Sequence, residues 1–138
     1  GVKNSSMPIQ DIEEFRAEGC LVFNGPDEQL LSGLVAGAAG GIGGTYGAMP
    51  ELYNKIYTLV QENRIGEARP IQDDCLKIIQ KLCSGHGNMY GMIKETLRIN
   101  HGLDCGSVRA PLAELIEADY AIAKEAAEMI RTAIAKYC

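Results

Sequence analysis

The run Cys20-Leu21-Val22-Phe23 is apolar without interruption and is closed on both sides, by Gly19 before it and by Asn24-Gly25-Pro26 after it. A strand with one wet face alternates apolar and polar residues; a short unbroken apolar run between turn residues reads instead as a strand buried on both faces of a parallel sheet. That assignment constrains the flanks, because parallel neighbours need a crossover long enough to hold a helix. Both flanks supply one. On the amino-terminal side, Val2-Lys3 reads as the end of a strand. Ser5-Ser6 then offer caps, Pro8 falls in a first turn, Ile9, Ile12 and Phe15 recur at a three-residue step, and Gly19 closes a short amphipathic helix. On the other side Pro26 with Asp27 and Glu28 opens a helix whose core face is Leu30, Leu31, Leu34 and Val35 and whose end is Gly37. Gly40-Gly41-Ile42-Gly43-Gly44 has little strand propensity, but a strand there completes a βαβαβ series.

From Met49 onward the pattern is helical only. Leu52, Ile56, Leu59 and Val60 form one stripe, and Ile71, Cys75, Ile78, Ile79 and Leu82 form another, with Pro70 expected to kink or restart it. Ile93 and Leu97 mark a helix between Gly87 and Gly102, and a last helix runs from about Glu117 to Tyr137, with Tyr120, Ala123, Ala127, Ile130 and Ile134 on one side. The chain is therefore expected to form one partial α/β domain, with strands and their helices in residues 1–48 and an all-helical part in residues 49–138. Three parallel strands have two open edges, and a closed (β/α)8 barrel takes about 250 residues, so half a barrel is the natural inference.

Composition excludes several classes of function. A net charge of −5 with no basic stripe argues against a nucleic-acid partner. No apolar run approaches the length of a membrane span, so membrane insertion is not expected. The five cysteines, Cys20, Cys75, Cys83, Cys105 and Cys138, are odd in number and lack CxxC spacing, which fits a reducing cytoplasm better than a disulfide framework or a zinc site. No metal site is expected; His86 and His101 have no acidic or cysteine partner at ligand spacing and read as structural.

Lys3 is the candidate for chemistry. A lysine at a strand end, followed by Asn4-Ser5 and a turn into a helix, is what an imine-forming aldolase needs. The amine is protonated in water at neutral pH, and only burial or a neighbouring positive charge makes it nucleophilic. Asp27 and Glu28, at the carboxyl end of the next strand, have two readings: groups of a site, since barrel sites assemble there, or acids that complement a helix dipole. The glycines from Gly40 to Gly47 are not a phosphate loop, because Tyr46 stands where GxGxxG requires glycine and no GxxxxGK[ST] is present.

These segments together, Gly1-Val2-Lys3-Asn4-Ser5, Asn24-Gly25-Pro26-Asp27-Glu28 and Gly40-Gly41-Ile42-Gly43-Gly44-Thr45-Tyr46, closely resemble the last three strand ends of the N-acetylneuraminate lyases. Those enzymes are pyruvate-dependent class I aldolases of the dihydrodipicolinate synthase superfamily. The likeness continues through Gly87-Asn88-Met89-Tyr90 and Ser107-Val108-Arg109-Ala110-Pro111-Leu112 and so covers nearly the whole chain. It implies strands six to eight of a TIM barrel, followed by three carboxyl-terminal helices.

The resemblance also implies roles. Lys3 occupies the Schiff-base position, and Ser5 stands where the family has a hydroxyl near the sugar. Gly25, Asp27 and Glu28 match the loop that holds the polyol, and the Ile42 backbone matches a wall of the pyruvate pocket. Gly44 departs from the pattern, since many relatives carry Ser there, which weakens one sugar contact. Asp27-Glu28 favours a sialic acid lyase over a synthase, because carboxylates suit a neutral polyol and repel an anionic tail. The implied reaction cleaves N-acetylneuraminate to N-acetylmannosamine and pyruvate without a metal or organic cofactor. It also implies a homo-oligomer, and for these 138 residues alone little activity without the other half of the barrel. The alternatives are another pyruvate aldolase or synthase of the superfamily, or a non-catalytic half-barrel that acts as a folding or assembly unit.

Overall fold

Val2–Asn4, Val22–Asn24 and Gly40–Gly41 are the strands β1, β2 and β3 of a single parallel sheet, ordered β1-β2-β3, in the computed structural model, which describes residues 1–138. Lys3 lies opposite Phe23 and Phe23 opposite Gly40. Hydrogen bonds extend each pairing beyond the strands: Gly25 N–H donates to the Asn4 carbonyl at 2.7 Å and Ile42 N–H to the Asn24 carbonyl at 2.9 Å. The crossovers are α1 (Gln10–Ala17) and α2 (Leu30–Val35).

The period of two along a strand sorts the side chains. Val22 and Asn4 are buried toward α1 and α2, whereas Lys3 is exposed on the other face. Leu21 and Ile42, each two residues from the Phe23 and Gly40 positions, lie on that same open face and are 56% and 47% exposed. The barrel interior of a closed sheet corresponds to this face.

The main core is not under the sheet. It forms where α2 meets the helical part: α3 (Pro50–Gln61), α4 (Ile65–Leu82), α5 (Met89–His101) and α6 (Glu117–Tyr137). Leu52, Ile56, Ile71, Ile78, Leu82, Met92 and Ile130 are among its buried side chains, joined by Leu30, Leu31 and Leu34 from α2. Full burial of each aliphatic side chain contributes about 1.5–3 kcal/mol relative to exposure, so this cluster dominates cohesion. A smaller cluster of Ile12, Val22, Ala36 and Ala38 holds α1 against the sheet.

Several local expectations are corrected. Ser5 and Ser6 do not cap α1; Ile9 occupies the cap with helical dihedrals, and the Ser6 hydroxyl bonds instead to Asn4 and Asp11. Asp27–Gln29 forms a separate 3-10 turn ahead of α2. Val35 faces solvent, 55% exposed, because it stands about a quarter-turn round α2 from the centre of the face that Leu30, Leu31 and Leu34 bury. Pro70 lies inside α4, which continues through it as one helix. Tyr120 is 45% exposed, at the rim of the stripe that Ala123, Ala127 and Ile130 bury.

Candidate active site at the carboxyl ends of the strands

The parallel sheet delivers three chain exits to the same edge: Ser5-Ser6 after β1, Gly25 to Glu28 after β2, and Ile42 to Thr45 after β3. Lys3 sits one residue inside that edge on the open face, beside the Phe23 ring position. Ser5 follows on the same face, exposed. Gly25 is buried between them: a Cβ there would stand 2.6 Å from the Asn4 carbonyl oxygen and 2.5 Å from the Ser5 hydroxyl. No side chain fits, so the loop after β2 runs directly against the end of β1.

The two acids after β2 part company. Asp27 is buried, 6% exposed, and its Oδ2 accepts the Thr45 backbone N–H at 2.7 Å together with the Thr45 hydroxyl. Its Oδ1 lies where a side chain of Gly43 would begin, which explains that glycine. Thr45 in turn shares a hydrogen bond of 2.6 Å with the Tyr53 hydroxyl, and the Tyr53 ring stacks on Tyr46 with centroids 4.1 Å apart. Burial first, then the charges around them, raises both phenols above the usual tyrosine range. Both stay protonated at neutral pH. Glu28, one residue on, is exposed.

Asp27 therefore belongs to a buried latch between the exits of β2 and β3, an arrangement that neither the helix-dipole reading nor the polyol reading anticipates. The signal is faint: a Thr four residues after a strand pairs with an acid 18 residues earlier only if the two strands are parallel neighbours.

Gly44 lies beneath Tyr90, the second residue of α5. A Cβ at Gly44 would be 3.1 Å from Tyr90 Cε1 and 3.5 Å from its hydroxyl, and Tyr90 is half exposed. The helical part thus places a phenol over Gly44. Asn88 caps α5 by accepting the Tyr90 N–H at 2.9 Å, and this fixes where Tyr90 begins. Ile42 has its N–H engaged by β2 and its side chain on the open face.

Two other groups escape the sequence pattern. Gln72 of α4 is buried and bonds the backbone of the Asp27–Gln29 turn. His86 does have an acidic partner: its Nδ1 is 3.5 Å from the Asp119 carboxylate, contributed by α6 and invisible to local spacing. Asp119 accepts backbone N–H groups from Ile116, His86 and Gly87 at 2.9, 2.8 and 3.0 Å, and these bonds hold it down at about 2. Cys75 is buried, and burial with the nearby Asp74 charge pushes its thiol up to about 12, so it is a packing residue. No group of three or more His, Cys, Asp or Glu is placed to hold a metal ion, and no helix is long and apolar enough to cross a membrane.

The edge thus gathers a primary amine, a hydroxyl, an exposed carboxylate and a phenol around exposed backbone at the carboxyl ends of parallel strands. Such a set suits covalent capture of a carbonyl beside recognition of hydroxyl groups. Comparison with known proteins agrees in kind. The profile of the Dihydrodipicolinate synthetase family matches residues 1–130. An N-acetylneuraminate lyase of Mediterraneibacter gnavus is 56% identical over 140 residues, covering 99% of this chain and 44% of the lyase. The structure of a sialic acid aldolase from Ruminococcus gnavus superposes with a TM-score of 0.98 at 55% identity, over 100% of this chain and 47% of that one. A pyruvate complex of the Fusobacterium nucleatum N-acetylneuraminate lyase gives 0.86 at 31% identity, over 94% of this chain and 44% of that one. The chain spans less than half the length of these relatives.

Proposed function

This chain belongs to the dihydrodipicolinate synthetase family, and on that premise we propose that it supplies the Schiff-base half of a sialic acid aldolase. The observation that carries the proposal is the placement of Lys3: exposed on the open face of the sheet, one residue from the strand end, in register with Phe23. Closing the barrel over that face would desolvate the amine, the condition for a neutral nucleophile.

In the reaction so assigned, the Lys3 amine adds to the keto carbon of open-chain N-acetylneuraminate and water leaves. As the hydroxyl on the departing carbon gives up its proton, the protonated imine accepts the electron pair of the breaking carbon–carbon bond and N-acetylmannosamine departs as the aldehyde; the remaining enamine takes up a proton at carbon, and water hydrolyses the imine to pyruvate and free Lys3. Glu28 accepts hydrogen bonds from the sugar hydroxyls, and Ser5 and the backbone at Gly25 flank the same tail. Asp27 contributes Oδ1 and holds the loop in place through Oδ2. The Ile42 backbone lines the three-carbon end, and at Gly44 the Tyr90 phenol stands over the gap. The lyase names of similar proteins, one of them a pyruvate complex, support this choice of substrate.

Borohydride reduction of the complete enzyme with pyruvate, followed by peptide mapping, is expected to place the adduct on Lys3 and to abolish cleavage. An adduct on another lysine, or none in active enzyme, refutes the assignment. Turnover across a panel of aldehydes with pyruvate separates a sialic acid lyase from another aldolase of the family.

A further inference from the structure

Gln72 belongs to α4, outside the strand region, yet both polar groups of its side chain are spent on the 3-10 turn after β2 and the start of α2. Its Nε2 donates to the carbonyls of Asp27 and Glu28, both at 3.1 Å, and its Oε1 accepts the Leu31 N–H at 2.9 Å. The residue is 7% exposed, and the partners lie more than 40 positions away in sequence. One planar amide therefore spans the 3-10 turn and the first turn of α2 and fixes their relative angle. Glu28 is exposed, so the direction of its carboxylate depends on the backbone from which it springs.

We propose that Gln72 is a positioning residue for Glu28, a clamp through which the helical part sets the angle at which the turn presents its carboxylate to the sugar. The inference rests on the role assigned to Glu28 above. The clamp acts on the hydroxylated tail of the substrate and not on the imine, because Lys3 stands on β1 and Gln72 bonds only the segment after β2.

The test uses the complete enzyme, with these residues joined to the rest of the barrel. Gln72→Met keeps the length of the side chain and removes all three bonds. Gln72→Glu keeps an acceptor for Leu31 and sets a carboxylate against two carbonyl oxygens. These are measured beside Glu28→Ala and the Gln72→Met/Glu28→Ala double variant, by kcat and KM for N-acetylneuraminate, borohydride-trapped pyruvate and melting temperature.

Misplacement of a binding group by about 1 Å costs up to about a hundred-fold, so each Gln72 variant should lose about ten- to a hundred-fold in kcat/KM while pyruvate trapping holds. The double variant should be no worse than Glu28→Ala, since nothing is left to position. Full cleavage in Gln72→Met, additive losses in the double variant, or pyruvate trapping that falls in step with cleavage in both Gln72 variants overturns the proposal. If Glu28→Ala itself is silent, the sugar-binding role of Glu28 fails instead, and the clamp with it.

Discussion

Asp27 takes the backbone N–H of Thr45 on Oδ2 at 2.7 Å, so the exit of β2 is fastened to the exit of β3 by a buried carboxylate. Glu28 beside it is exposed, and the two should respond differently to truncation. Asp27→Ala strands the buried Thr45 N–H and leaves the Thr45 hydroxyl with Tyr53 alone, at about 1–3 kcal/mol for the unsatisfied group, so the melting temperature should drop by several degrees along with activity. Glu28→Ala should leave the melting temperature alone and cut kcat/KM for N-acetylneuraminate by about ten- to more than a hundred-fold, the loss of one charge-assisted contact. Calorimetry and steady-state kinetics on both variants check this. Equal melting losses with unchanged cleavage would return both acids to a helix-end role.

The parallel strand order, the α1 and α2 crossovers and the helices from Met49 onward were legible because each rests on a local pattern. Glu117 to Tyr137 is helical over the expected span, and Gly102 ends α5 with φ of 68°. What escaped the sequence was every contact between distant segments. Thr45 and Tyr53 look like an ordinary turn residue and an ordinary helix aromatic until the parallel register brings Asp27 to them. Gln72 reads as a polar interruption in an apolar stripe, and only the packing of α4 against the turn shows its use. Short polar side chains carry no periodic signature. The position of Lys3 was legible because a strand end is itself a local feature, and the structure leaves it exposed there.

Two glycines mark close approaches, and a third does not. A Cβ on Gly33 of α2 would stand 2.3 Å from Asn24 Oδ1, and one on Gly25 would stand 2.6 Å from the Asn4 carbonyl, whereas one on Gly66 of α4 would meet nothing within 4 Å. Gly33→Ala and Gly25→Ala should each destabilise by about 1–3 kcal/mol, the usual cost of forcing atoms into a packed site. Gly66→Ala should be neutral or stabilising by up to about 1 kcal/mol, since alanine is the better helix former. Denaturant midpoints for the three variants decide it, and a stable Gly25→Ala enzyme would show that the β1–β2 exit tolerates expansion.

Asp119 ties the loop before α5 to the start of α6 through three backbone N–H groups, and the bonds from Ile116, His86 and Gly87 lower it from the ordinary 3.8 to about 2. A carboxyl whose folded value is depressed binds its proton more readily in the unfolded chain. Its stabilisation is therefore complete above about pH 4 and fades as the pH falls toward 2. Asp119→Asn should melt lower than the parent at neutral pH, and the gap should close across that acid window. Asp74, which Lys77 also holds at about 2, remains in both proteins and cancels from the comparison. Melting curves from pH 7 to 2 test this, and a gap independent of pH would mean that the carboxylate's charge has no part in the brace.

The free edges of β1 and β3 and the open face between them set what these 138 residues do by themselves. Leu21 and Ile42 are about half exposed on that face, and unpaired strand edges recruit other chains. The main core, by contrast, lies among α2 to α6 and does not depend on the face being covered. The isolated chain should therefore keep its helical content yet self-associate, and it should not cleave N-acetylneuraminate, because nothing desolvates Lys3. Leu21→Lys and Ile42→Lys should reduce association with little change in helical circular dichroism. Adding the remaining part of the barrel should restore pyruvate trapping in the parent and not in these variants. A monodisperse monomer that cleaves sialic acid at an ordinary rate would show that the open face is neither adhesive nor the place where the amine is activated.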